Sequence, residues 1–133
     1  MAFAGMNYLA ILIAAVAGFA WGAAYYMTLS KQWLAAVGKA QPNRAAAPFV
    51  ISFVALIVMA FVLAGSIGHL GPGNVTVTNG IISGLILWAG FIATTVFVNN
   101  AYPGRSYRLS AIDSIHWLGV VVIQGAIIGA MGV

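Results

Sequence analysis

Residues 99–117 read Asn99-Asn-Ala-Tyr-Pro-Gly-Arg-Ser-Tyr-Arg-Leu-Ser-Ala-Ile-Asp-Ser-Ile-His-Trp117. The stretch holds the only acidic residue of the chain, Asp113, two of the five basic residues, Arg105 and Arg108, and one of the two histidines, His116. Almost wholly apolar sequence flanks it on both sides. A charge beside hydrocarbon is costly and needs a partner, so the polar residues around Asp113 are expected to constrain how the rest of the chain packs.

The reason to place hydrocarbon around this stretch is composition. Of 133 residues, 63 % are hydrophobic and 5 % charged, where a soluble domain carries about a quarter charged residues. Such a chain cannot present a water-compatible exterior, and its solvent is lipid. The net charge of +4 comes from Lys31, Lys39, Arg44, Arg105 and Arg108. All five lie in two short connections, which fits membrane orientation and not nucleic-acid binding. With no cysteine, disulfides, thiolate metal sites and thiol nucleophiles are excluded. The first eight residues carry no lysine or arginine. The first apolar segment is therefore read as a retained helix and not as a cleaved signal, which needs a basic leader.

About 20 residues at 1.5 Å each cross the hydrocarbon layer. On that measure the chain is one domain of four spans, at about 8–28, 48–68, 80–98 and 109–131. The fold class expected is all-α: an integral membrane four-helix bundle with short loops. Small residues recur at four-residue spacing in three spans, as Gly18 and Gly22, Gly80 and Gly84, and Gly125 and Gly129. Such pairs let backbones approach closely. They serve either packing within the bundle or a subunit interface. The second span, opened by Pro48 at a position where a missing N–H costs nothing, reads as mainly lipid-facing scaffold.

In the longest connection Trp33, Leu34 and Val37 share one helical face, while Lys31, Gln32 and Lys39 turn to water. This predicts a short interfacial helix, broken by Pro42 and Asn43. His69 falls in a Gly-Pro-Gly turn and is read as solvated, and the Asn74-Val-Thr76 sequon is too short a motif to use. Every lysine and arginine lies in the first or third connection. Four spans put both connections on one side, the cytoplasm, and both termini outside. Tyr25-Tyr26, Lys31 and Trp33 share their spacing with Asn99-Asn100, Arg105 and Tyr107, which would make two parallel two-helix repeats.

An ordered set of residues adds to this reading: Asn7-Tyr8-Leu9-Ala10-Ile11, Trp21, Tyr25-Tyr26, Lys31, Trp33, Trp88, Phe91, Asn99-Asn100, Gly104-Arg105, Asp113 and His116-Trp117. Together they resemble domain-of-unknown-function family 1761, small bacterial membrane proteins, over most of the chain. The chain departs at Tyr26-Met-Thr-Leu29, where the family would have Tyr-Ser-Pro. The resemblance implies a four-helix membrane fold and no activity.

Chemistry is constrained by what the chain lacks. It has no second carboxylate for paired acid–base work, no HExxH or other metal-ligand pattern, and no P-loop or cofactor motif. Asp113 and His116 are neighbours on one helix without a GxSxG element, which argues against a serine triad. What remains is a polar cluster at the cytoplasmic end: Tyr25, Tyr26, Lys31, Asn99, Asn100, Arg105, Arg108, Asp113 and His116. One reading makes it structural, with Asp113 accepting from an arginine or Asn side chain, and specifically ionised and paired with Arg105 or Arg108. Others make it a headgroup or anionic-ligand site on Arg105, Arg108 and Lys31, or a proton relay through Asp113 and His116. The first functional expectation is a non-enzymatic protein of the bacterial inner membrane, acting as a homo-oligomer or as an accessory subunit of a larger membrane complex. The second is a small transporter or channel subunit using Asp113 and His116. The third is a membrane enzyme handling lipid or quinone.

Overall fold

The computed structural model describes residues 3–39, 41 and 43–133; the break expected at Pro42 lies outside them. All regular structure among the described residues is helical. The first span is α1 (Tyr8–Thr28) and the interfacial helix is α2 (Ser30–Val37). The second span is α3 (Ala47–Gly68). The third is a composite of α4 (Val77–Leu87), a π-helical segment (Trp88–Ala93) and α5 (Thr94–Ala101). The fourth is α6 (Tyr107–Met131). Four of these units are long and apolar enough to cross a membrane, so the chain is a multi-pass four-helix membrane bundle.

Helix ends follow from local side-chain chemistry. Asn7 caps α1 by accepting from the Ala10 N–H at 3.0 Å. Thr76 caps α4 by accepting from the Asn79 N–H at 3.2 Å, which starts the third span at Val77 and not at Gly80. Ser106 accepts from the Arg108 N–H at 3.1 Å and starts α6 at Tyr107. Each supplies an acceptor to a backbone donor that the helix itself leaves unpaired. Gly38, at φ +82°, ends α2 in the left-handed conformation that only glycine adopts without strain.

The bundle is organised on α6, which packs against α1, α3 and the third span. At one end the Asn7 side chain donates to the Met131 carbonyl at 3.1 Å. At the other, the last turns of α1 meet the first turns of α6, so these two helices run antiparallel. Ala10, Ala14 and Gly18 of α1 are buried, and the small-residue ridge of the first span faces inward. A Cβ on Gly18 would stand 3.3 Å from Leu56 Cδ2 of α3 and 3.5 Å from Gln124 Nε2 of α6.

The other two glycine pairs face each other. A Cβ on Gly80 would overlap the Gly125 carbonyl, one on Gly125 the Gly80 carbonyl, and one on Gly129 the Thr76 carbonyl. One on Gly84 would stand 2.7 Å from the Val121 carbonyl oxygen. The α4–α6 seam is therefore backbone against backbone, and all three pairs serve packing inside the bundle.

The second span departs in part from a scaffold facing lipid. Val50, Ile51, Val54, Val58 and Val62 are exposed on its outer face, but Leu56, Ala60, Leu63, Ala64 and Ile67 are buried. The buried face joins Ile11, Ala14 and Ile128 in the core. The two-helix repeat does not extend to secondary structure. The first connection carries α2, whereas the third is a turn closed by the Arg105 N–H donating to the Asn100 carbonyl at 2.9 Å.

Candidate functional site

The site is built around the first turns of α6 and is held there by aromatic donors. An indole N–H or phenol O–H in an apolar layer needs an acceptor, and here the acceptors belong to α6. Tyr25 donates to the Ile112 carbonyl at 2.7 Å. Trp88, at the start of the π-helical segment, donates to the Ser114 carbonyl at 2.7 Å. Trp21 donates to the His116 carbonyl at 2.9 Å. Two elements, α1 through Tyr25 and Trp21 and the third span through Trp88, are thus fastened at three levels of one helix.

The Asp113 carboxyl sits within this collar. Its Oδ1 accepts from the Tyr26 hydroxyl at 2.7 Å and from the Trp33 indole N–H at 3.1 Å. These partners correct the expected arginine pairing: Arg105 and Arg108 are exposed, and the donors come from α1 and α2. The physical reason is reach. The helix breaks at Leu29, and α2, which follows it, brings Trp33 to Asp113 of α6. Its indole is an apolar body with one donor, which suits this depth better than a guanidinium held away from water.

His116 lies one turn further along, 8 % exposed. Its ring centroid is 4.7 Å from that of Tyr26, 4.7 Å from that of Trp117 and 5.8 Å from that of Tyr25. Its Nδ1 is buried without a hydrogen-bond partner among the described residues. A Cβ on Gly22 would come within 2.9 Å of its Nε2, so glycine is what lets the imidazole lie against α1.

Of the nine residues expected to form the cluster, the fold brings four together: Tyr25, Tyr26, Asp113 and His116. Asn100 is buried on another side of α6, where its Nδ2 donates to Ser110 Oγ at 3.1 Å. Lys31, Asn99, Arg105 and Arg108 are exposed. Trp33, Trp21 and Trp88 are the contributors that a search for charged and ionisable residues passes over. Among the described residues no group of three or more His, Cys, Asp or Glu side chains stands close enough to hold a metal ion.

Two grooves flank α6, the first of them beside the collar. One, of about 580 Å³, lies between α1, α3 and α6, with Gly22, Tyr26, His116 and Trp117 in its walls. The other, of about 380 Å³, lies between α3, the π-helical segment and α6, and Gln124 is its one polar side chain. Gln124 is fully buried and donates to the Leu56 carbonyl at 3.0 Å.

With this geometry in hand, the chain can be set beside known proteins. The model of a family described as a protein of unknown function, DUF1761, matches residues 9–129. The chain belongs to this family. The match spans all four membrane-crossing units. No curated protein and no solved structure gives a match. Membership in DUF1761 agrees with the resemblance carried by Trp21, Tyr25-Tyr26, Trp33, Trp88, Asp113 and His116. In this member those residues form the collar around the start of α6.

Proposed function

We propose that this DUF1761 protein is a non-enzymatic protein of the bacterial inner membrane that works as a homo-oligomer or as an accessory subunit of a larger membrane complex. The observation that carries this reading is the use made of its polar groups. The single carboxyl is occupied by Tyr26 and Trp33, and those bonds tie α1 and α2 to α6. That is the pattern of a polar clamp for packing. The third span is the least buried of the four and is held chiefly along one glycine seam, with Ile86, Phe91 and Val98 exposed on its outer side. This side is the surface offered to another subunit.

The mass of the particle purified in a mild detergent tests the reading. A multiple of the chain mass, or a second protein in fixed ratio, is expected; a lone monomer without a protein partner overturns it. A small transporter subunit remains the second reading, favoured by one feature: Tyr26 bonds to Asp113 and also lies against His116. A homo-oligomer enclosing a water-filled axis would turn the choice toward it.

Orientation belongs to the same proposal. Lys31, Lys39, Arg44 and Arg105 fall in the connections and Arg108 in the first turn of α6, all at the α2 end of the bundle, and the basic end is expected to face the cytoplasm. Reporter fusions at Gly38 and Tyr102 should report cytoplasm, and fusions after Gly73 and Val133 the outside. A cytoplasmic reporter after Val133 would refute this orientation.

A further inference from the structure

We propose that the groove between α1, α3 and α6 binds a neutral, lipid-soluble molecule that presents a carbonyl or hydroxyl to His116. This goes beyond an accessory role and stands independently of it.

The first ground is His116 itself. A buried polar atom without a partner is costly and rare, and the Nδ1 of His116 is one. The other ring nitrogen, Nε2, has no protein partner among the described residues either, and it lies beside Gly22 in the groove wall. A neutral imidazole carries one N–H donor and one acceptor. Nδ1 is closed off from the groove, so the bond forms at Nε2: a ligand carbonyl accepts from it where Nε2 carries the proton, and a hydroxyl serves either tautomer. The neighbouring Tyr26 hydroxyl cannot donate to a ligand without leaving Asp113.

The second ground is the rest of the lining. Phe19, Met27, Phe49, Leu56 and Trp117 give the groove largely apolar walls, with Ser30 and Ser52 as further neutral polar groups. Met27 is 77 % exposed and Phe49 60 % exposed, so the mouth opens on the outer side of the bundle, in the terminal turns of α1 and α3 next to α2. The volume, about 580 Å³, is that of a small-molecule site. Of the two grooves this is the one with an unbonded imidazole in its wall; the other offers only Gln124, whose Oε1 also lacks a partner but whose amide is tied to the Leu56 carbonyl.

The third ground is charge. No lysine or arginine lines the groove. An anionic phosphate or carboxylate would enter a low-dielectric wall without a counter-charge, which is strongly unfavourable. The headgroup is therefore neutral. Two sources offer that chemistry, a quinone ring and a glyceride.

Protein in nanodiscs is titrated with decylubiquinone and, separately, with dioctanoylglycerol, against empty discs. Saturable binding of at least one probe is expected, and the probe that saturates identifies the source. Ala23 is an exposed wall residue, so Ala23→Phe fills the groove without entering the core and should weaken binding at least ~10-fold. His116→Leu removes one hydrogen bond and should weaken it roughly 10-fold, whereas His116→Gln should stay within about threefold. Failure of both probes to saturate overturns the proposal. So does binding that Ala23→Phe leaves unchanged, or equal competition by phosphatidylglycerol, which would mean ordinary bilayer lipid in the groove.

Discussion

Gly80→Leu and Gly125→Leu are each expected to detach the third span from α6 and to produce the largest loss of stability of any single change in the bundle. The two residues sit face to face, and a Cβ on either overlaps the backbone carbonyl of the other. Even Gly80→Ala and Gly125→Ala should be costly for that reason. A side chain can rotate away from an intruding atom, but a carbonyl within a helix moves only if the whole helix moves. The cost should reach the upper end of overpacking, about 3 kcal/mol. It should also forfeit the close contact along Gly84 and Gly129 that the seam makes possible. Thermal unfolding in a fixed detergent measures this. Gly18→Ala provides a contrast, because its nearest neighbours are side chains, Leu56 and Gln124; it should cost about 1 kcal/mol or less. Gly90→Ala meets nothing within 4 Å and should leave the transition unchanged. If Gly80→Leu and Gly125→Leu both melt like the wild type, the seam is not a close contact.

The class of fold was open to a reader of the sequence because apolar length is a one-dimensional property. The runs ending near Thr28, Gly68 and Met131 needed no tertiary information to be read as spans. The glycine pairs announced close packing for the same reason, since four-residue spacing puts small residues on one face. Which faces meet is a relation between helices, and the sequence favoured internal packing while keeping subunit contact as the alternative; Gly80 against Gly125 decides it for the bundle. The π-helical segment at Trp88–Ala93 has no mark in its sequence. It accompanies a contact made elsewhere, the Trp88 indole on the Ser114 carbonyl. The site was half legible. Tyr25, Tyr26, Asp113 and His116 stood out because polar groups are rare in apolar sequence, and they do converge. The partner of Asp113 did not stand out. Charge complementarity pointed to the adjacent arginines, while the actual donors arrive from 80 and 87 residues away in sequence.

That substitution of partners makes the behaviour of Asp113 the sharpest test of the collar. Asp113→Ala is expected to destabilise the protein by roughly 2 kcal/mol, because one change leaves both the Tyr26 hydroxyl and the Trp33 indole without their acceptor. Asp113→Asn should cost less, since an amide oxygen at the same place accepts from both donors. Tyr26→Phe and Trp33→Phe remove one donor each and should cost about 0.6 to 1.7 kcal/mol, the range of hydrogen bonds measured between membrane helices. In the Asp113→Ala background the same two changes should cost little, and that non-additivity identifies the bonded pairs. Trp33→Phe should in addition free α2 from the bundle end, read as faster proteolysis or faster amide exchange across Ser30–Val37. Arg105→Gln and Arg108→Gln change exposed side chains and should leave stability within about 0.5 kcal/mol of wild type. A large loss from either arginine change, together with additive losses for Tyr26→Phe and Asp113→Ala, would return Asp113 to an ion pair. It would also remove the reason for reading the collar as a clamp that joins α1 and α2 to α6.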